Sequence, residues 1–543
     1  MENVQGADLV LINGKIITMQ KSNKITEAVA VKGDKIVAVG STHQIKDWIG
    51  PGTVVLDIKG KAVVPGFIES HCHPSIGGPG LVFELIVQDA KSIDDIIEMI
   101  SKRVQGMPKG RWIIARRYDD QRLKERRHPT KWDLDRASTD HPIFLRRADY
   151  GLSVANSLAL KLAGVTDQTP DPKGGKFDRD PQSGQLNGVM RLEAQTIVKK
   201  MMPSYSIQEI KEGILEACRE FARFGITSFT DTIVTHGSLV AYQELVEEGA
   251  LFLRAGVLIP WLPMLEHPGY GTELKTLGIR TGFGNERLRI IGAKFSADGN
   301  MSTWTSALYE PYSNEPGNYG IIKGSKEELT AGIVEAHIAG LRPCVHAIGD
   351  RAIDMVLDAF EAASKIKPVE DARFRIEKCT IPTPEAIERI KHLGVIPSSL
   401  TGFLYELGPT HLLAIGQERI KRYFPHKTYL EKGILSTSGS DWSVTSANVA
   451  QQIYGIVTRK THSGEILGGE QAISVMEALS LYTMNAAYSS FEESIKGSIE
   501  TGKLADMAVL DRDILTIPEE QLKDFKVETT VVGGKIVYQK EKG

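Results

Sequence analysis

The chain has 543 residues, 41% of them hydrophobic, which is enough to bury one very large domain or several ordinary ones. Lys and Arg total 65 against 68 Asp and Glu, and the formal charge of -3 gives no electrostatic footing for nucleic acid or an anionic membrane. A small molecule in a pocket is the partner to expect. The cysteines, Cys72, Cys218, Cys344 and Cys379, form no Cys-x-x-Cys pair, no basic and then apolar leader is visible, and no apolar stretch nears the ~18 residues of a membrane span. A reduced, cytoplasmic protein is therefore expected.

In the first sixty residues, apolar runs at 9–18, 28–39 and 53–57 are cut by Asn13-Gly14 and by Lys32-Gly33-Asp34-Lys35, both hairpin turn signals, which predicts a small antiparallel sheet. The texture returns at 506–510, 527–532 and 535–538. Residues 1–62 and 486–543 are therefore expected to build one small β-sandwich domain from both termini.

Between them, short apolar strands alternate with helical periodicity. Strand candidates lie at 63–70, 226–232, 252–259, 288–297, 343–348, 373–379, 395–399 and 434–438, with amphipathic stretches such as 326–338 and 352–360 in the intervals. This predicts an α/β fold in which residues 63–485 form a (β/α)8 TIM-like barrel. The interval from about 75 to 200 is too long for one crossover and predicts an inserted lobe, in which the Pro/Gly/Asp-rich words 169–175 and 180–184 read as a long loop pair.

Polar residues at the C-terminal ends of barrel strands are where such folds build chemistry. The first strand ends in His71-Cys72-His73, and alternation along a strand points both imidazoles to one side, as a metal ion requires. The fourth carries Lys294, the fifth His346, the sixth Lys378 and the eighth Asp441. Any one of these alone is more often structural, but five related ends on one barrel point to a site. Cys72, Cys344 and Cys379 adjoin site positions but alternate to the opposite face, as small buried side chains.

The words Val64-Pro-Gly-Phe-Ile-Glu-Ser-His71-Cys-His73, Lys294 with Asp298-Gly299, Val345-His346-Ala-Ile-Gly-Asp-Arg351, Ser438-Gly-Ser-Asp441-Trp442 and Gly497-Ser-Ile-Glu-Thr-Gly-Lys503-Leu-Ala-Asp506 resemble the metal-dependent amidohydrolase superfamily, in its YtcJ-like branch (amidohydrolase family 3), over essentially the whole chain. The resemblance implies a metal held by His71, His73 and Asp441. Lys294, if carbamylated, would offer a further oxygen ligand toward a second metal, with His346 as its other ligand. The donor types suit Zn2+, with Mn2+ or Fe2+ chemically acceptable, one or two per chain. The implied reaction is hydrolysis of a C–N bond in an amide, cyclic amide or similar small molecule by metal-activated water. Asp441 would be general base and His346 a second ligand or an oxyanion donor.

Two departures matter. The family pattern has His where this chain has Lys378, and an ammonium has no lone pair for a cation, so a mononuclear site with Lys378 beside the vacated position is expected. The pattern also has Asp where this chain has Glu69, which either pairs with Lys378 or bonds a neighbouring strand. Glu193, Trp304 and Trp442 are candidate substrate contacts, Tyr312 a further cavity-lining candidate, and Asp231, at the end of the second strand, is expected to cap the next helix. Asp149-Tyr150-Gly151 stands where relatives carry Asp-Gly-His, so a substrate-contact histidine is missing. The alternatives are a decarboxylase or hydratase on the same scaffold, for which Lys378 would suit a carboxylate-bearing substrate, and a metal-poor binding or regulatory protein. A homodimer is the default assembly.

Overall fold

The computed structural model describes residues 6–22, 24–148, 151–172, 174–264 and 267–541. The chain divides into two compact units, residues 1–75 with 214–543 and residues 76–213.

The first unit holds the barrel. Its strands are β1 (Phe67–Cys72), β2 (Ile226–Asp231), β3 (Arg254–Pro260), β4 (Leu288–Ser296), β5 (Pro343–Ala347), β6 (Arg375–Lys378), β7 (Ile396–Ser399) and β8 (Thr437–Ser438). They lie in sequence order and every neighbouring pair is parallel. Beyond β8, the Asp441 amide donates to the His71 carbonyl at 3.0 Å and the His73 amide to the Trp442 carbonyl, which closes the seam against β1. The seam is thus made by the segment that carries the site residues.

The amphipathic stretches are barrel helices. Lys326–Ile338 is capped by the Ser325 hydroxyl on the Glu328 amide, and Asp350–Ile366 buries Ile353, Val356, Leu357 and Phe360 at helical spacing.

The single strand expected at 63–70 is two strands. Ala62–Pro65 pairs with Lys15–Ile17 and Met507–Leu510, outside the barrel, and the chain passes into β1 at Gly66. A Cβ at Gly66 would sit 2.2 Å from the Thr227 side chain, so only glycine fits where the two sheets meet. Both halves are buried, so hydrophobicity shows no break between them.

The terminal domain is a sandwich of a four-stranded and a six-stranded sheet. Leu9, Val29, Val31 and Ile36 of the first meet Ile16, Val63, Met507, Val509 and Val531 of the second in one core. The hairpin expected at Lys32-Gly33-Asp34-Lys35 joins Ala28–Lys32 to Lys35–Gly40. Asn13-Gly14 does something else: Leu9–Ile12 and Lys15–Ile17 belong to different sheets, so this turn hands the chain across the sandwich. Asn13 has φ of 55°, a left-handed conformation that asparagine tolerates and that serves either kind of turn.

The inserted unit has its own mixed six-stranded sheet and an apolar core that includes Ile93, Ile96, Ile100, Ile113, Leu145 and Val154. The expected loop pair there is a hairpin, Gly175–Arg179 against Leu186–Leu192, with the Asp180–Gly184 segment as its turn. Its many Pro, Gly and Asp residues obscured a strand with only one buried side chain, Phe177. Among the described residues no helix is long and apolar enough to cross a membrane.

Arg254 at the start of β3 donates from Nε and Nη2 to the Asp506 carboxylate at 2.7 and 3.1 Å, both side chains buried, which ties barrel to sandwich. Asp506→Ala leaves that guanidinium buried without its anion. It is expected to cost about 3–5 kcal/mol of stability, read as a lower midpoint of urea unfolding; an unchanged midpoint would contradict the role of this pair.

Candidate metal centre

β1 delivers Glu69 and His71 to the barrel interior, and His73 follows just past its end. The His71 and His73 rings stand perpendicular, with centroids 5.4 Å apart. Asp441 completes the group: its Oδ1 lies 3.3 Å from His71 Nε2 and 3.1 Å from His73 Nε2. Ligand atoms of these three residues all lie within 4.8 Å of one another. Two imidazole nitrogens and a carboxylate oxygen converging in a buried site are the donor set a divalent transition metal takes, so the residues fit the expected ion. Asp441 holds φ of 59°, left-handed backbone that aspartate adopts more readily than most residues, while its amide is anchored on the His71 carbonyl.

A second layer orients the ligands. His71 Nδ1 is 2.6 Å from Glu377 Oε2, and Glu377 is in turn ion-paired to Arg375 at 2.8 Å, all three wholly buried. Burial and the nearby Lys294 push the His71 pKa down, so the ring is neutral, with its proton on Nδ1 toward Glu377 and its Nε2 lone pair toward Asp441. Burial alone would raise the Glu377 carboxyl; Arg375 and His71 outweigh it and hold it well below the usual range. Thr232 just past β2 donates its hydroxyl to the Cys72 carbonyl at 3.3 Å and sits 3.2 Å from His73 Nδ1, which turns His73 Nε2 toward the metal position. Glu377, Arg375 and Thr232 received no role from the sequence. The available signal was the spacing of Arg375 and Glu377, two residues apart on one strand face.

Lys378 hydrogen-bonds through Nζ to Asp441 Oδ2, and its ammonium lies 5.0 Å from the centre of the Phe403 ring. Burial raises the Asp441 pKa, but the Lys378 charge and the two imidazoles carry it well below the normal value. Glu69 does not pair with Lys378. Its carboxylate accepts from the Ser440 amide at 2.9 Å, the Ser440 hydroxyl at 2.8 Å and the His71 amide at 3.1 Å, and burial raises its pKa to about 7. Glu69 therefore braces β1 against the segment after β8.

Lys294 on β4 is buried, and its Nζ has no hydrogen-bond partner among the described residues. Burial lowers its pKa to about 8. His346 at the end of β5 stands outside the convergent group. Its Nε2 donates to the Gly299 carbonyl at 2.9 Å and lies 3.3 Å from Asp298 Oδ1, while burial brings its pKa down to about 4. A neutral imidazole has one proton, and that proton is committed at Nε2, so the expected oxyanion-donor role is withdrawn. Asp298 also accepts from the amides of Ala307, Ile348 and Gly349, which pins the β4 and β5 loops together.

The aromatic contacts divide. Trp442, expected at the substrate, has no exposed surface. It gives its indole N–H to Glu220 at 3.0 Å and packs edge-on against Phe221, because the step from Asp441 to 442 turns it away from the site. Trp304 is half-buried and bonds Asn314, and Tyr312 is core, its hydroxyl on the Ser306 carbonyl. Glu193 lies in the inserted unit, exposed at the start of the helix Ala194–Lys199. Asp231 accepts from the Ser75 amide and the Tyr242 hydroxyl, both at 2.9 Å, so it serves the start of the helix Pro74–Phe83 and not, as expected, that of the next helix, His236–Glu247. The four cysteines are buried and unbridged. Of the word 149–151, in which the missing histidine was noted, residues 149 and 150 lie outside the described residues.

The model of the amidohydrolase family matches residues 54–538. A Bacillus subtilis (strain 168) protein described as putative amidohydrolase YtcJ is 30% identical over 537 residues, 97% of this chain and 98% of its own. The N-substituted formamide deformylase of Arthrobacter pascens is 28% identical over 548 residues, 99% of each. Among solved structures, an uncharacterized metal-dependent hydrolase from Pyrococcus horikoshii OT3 superposes with a TM-score of 0.77 at 26% identity, covering 94% of this chain and 99% of that one. With this match along nearly its whole length and a His-His-Asp group at the mouth of its barrel, the chain belongs to the amidohydrolase family, hydrolases that act on carbon–nitrogen bonds.

Proposed function

We propose that this protein hydrolyses the C–N bond of a small amide using a single divalent cation, Zn2+ by donor chemistry, held by His71 Nε2, His73 Nε2 and Asp441 Oδ1. The observation that carries the reading is the convergence of those three atoms at the strand ends. When bound there, the cation supplies Lewis acidity to the scissile carbonyl and to the attacking water. Water adds to the acyl carbon, the C–N bond breaks, and the products are a carboxylate and an amine. The Arthrobacter relative is named for N-substituted formamides, so short acyl amides are the substrate class to try first.

The chain's own groups divide the proton work. Asp441 is ionised and takes the proton of the attacking water. Held by Lys378 and two imidazoles it is a weak base, so it passes that proton on to the leaving nitrogen rather than keeping it. Lys378, with donors beyond the one spent on Asp441, replaces His346 as the group that meets the developing oxyanion. The Lys294 amine, buried and without a hydrogen-bond partner among the described residues, supports carbamylation, since its lowered pKa leaves more of it in the neutral form that reacts with carbon dioxide. Its carbamate would lie in the field of Lys378, which acts on the Lys294 site in this structure.

Metal-loaded protein assayed on a panel of formamides and acetamides should release amine, and Asp441→Asn should cut kcat at least about 100-fold while the far-UV spectrum stays that of wild type. An Asn variant with wild-type turnover would move the base elsewhere. Glu377→Gln, which loosens the His71 tautomer, is expected to weaken metal affinity about 10–100-fold, measured by competition with a chelating dye; equal affinity would mean that Glu377 does not orient His71.

A further inference from the structure

Ser302, His411 and Tyr423 form a hydrogen-bonded line at the strand-end face of the barrel that the chemistry above leaves unused. Ser302 lies in the turn Met301–Thr303 after β4, and His411 in the helix Gly408–Arg419 after β7. Ser302 Oγ is 3.0 Å from His411 Nε2, and His411 Nδ1 is 2.6 Å from the Tyr423 hydroxyl. The line runs beside the metal group: the Phe403 ring lies 5.0 Å from Lys378 Nζ and 5.7 Å from the His411 ring.

The protons on this line can be placed. Burial pushes the Tyr423 phenol far up, so it keeps its hydrogen, and His411 Nδ1 is its hydrogen-bond partner among the described residues. A buried phenol donates when an acceptor is in reach, so Nδ1 accepts. Burial, with the Lys378 charge adding to it, drives the His411 pKa down to about 3, so the ring is neutral and its one proton is on Nε2. Nε2 then donates to Ser302 Oγ. The reverse arrangement, serine donating to histidine, would strand the Tyr423 proton in the core. The serine hydroxyl hydrogen is left with no acceptor among the described residues. Exposure grades from 0% at Tyr423 through 1% at His411 to 6% at Ser302, so the free donor lies at the outer end of the line.

We propose that Ser302 is a substrate-positioning hydroxyl, its donor turned outward by Tyr423 and His411 to take an oxygen of the bound amide other than the scissile carbonyl. The substrate is then an amide that carries a second acceptor oxygen, an ether, hydroxyl or carboxylate, on the side of Phe403. The identity of the ligand rests on the C–N hydrolase reading; the proton arrangement does not.

The test compares two amides, one with the second oxygen and one with methylene in its place. For the oxygen-bearing amide, Ser302→Ala should raise KM about 10-fold, the loss of one hydrogen bond, with kcat retained. For the methylene analogue KM should not move, and Ser302→Thr should restore the wild-type KM. His411→Phe should raise KM likewise, and the double variant should be no worse than Ser302→Ala. In wild-type protein the 15N spectrum of labelled histidine should show His411 protonated at Nε2. A KM change equal for both amides, additive effects in the double variant, or a proton on Nδ1 would overturn the proposal. If neither amide is turned over, the hydrolase reading fails on its own, and calorimetric binding of the oxygen-bearing amide decides the serine: about 10-fold weaker in Ser302→Ala upholds it, equal affinity overturns it.

Discussion

The site depends on how one buried carboxylate is shared. Asp441 presents Oδ1 to His71 and His73 and Oδ2 to the Lys378 ammonium, so one side chain serves both a metal position and a fixed cation. Beside it the buried Arg375 guanidinium is likewise paired, with Glu377. Burying such groups is tolerable only when each has its opposite, and adding positive charge to a site that already holds Lys378 is costly. One dication facing Asp441 Oδ1 is compatible with that balance. A second, placed toward Lys378, would have to displace an ammonium or face it at low dielectric.

The scaffold makes this sharing possible by bringing together three strands that are remote in sequence. β1 supplies the imidazoles, β6 supplies Glu377 and Lys378, and the segment after β8 supplies Asp441. Closure of the barrel between the first and last strands uses the backbone of those same residues, the Asp441 amide on the His71 carbonyl and the Ser440 amide on Glu69. A loosened seam would therefore disturb the ligands directly. Arg254 and Asp506 brace the far end of β3 on the sandwich, which explains why a terminal domain remote in sequence belongs to the same compact unit.

Much of this was legible because it is local or periodic. The convergence of His71 and His73 follows from strand alternation, the eight strands from apolar runs between helical stretches, and Asp441 from its place at a strand end. What was not legible depends on register through space. Glu69 and Lys378 looked like partners because both face inward with opposite charge, yet Ser440 lies closer across the seam and takes Glu69. Lys378 itself departs from simple alternation on β6 through a positive φ of 78°, which no spacing rule reveals. Trp442 was expected at the substrate, yet the left-handed turn at Asp441 sends it to the opposite side, where it meets Glu220 and Phe221. Gly66 and Asn13-Gly14 were misread for one reason: an apolar run and a turn look alike whether the chain stays in one sheet or crosses to another.

The resemblance places a ligating histidine where this chain has Lys378, and in the proposed function the ammonium beside the Asp441 carboxylate keeps that carboxylate ionised and would offer a donor to the substrate. The most direct test is the metal content of the folded chain, by X-ray fluorescence with absorption fine structure, for wild type and Lys378→His. The account predicts one equivalent with no metal–metal scattering in wild type, and a second equivalent once the ammonium is replaced by an imidazole. Two equivalents in the wild-type protein, with a short metal–metal distance, would contradict it.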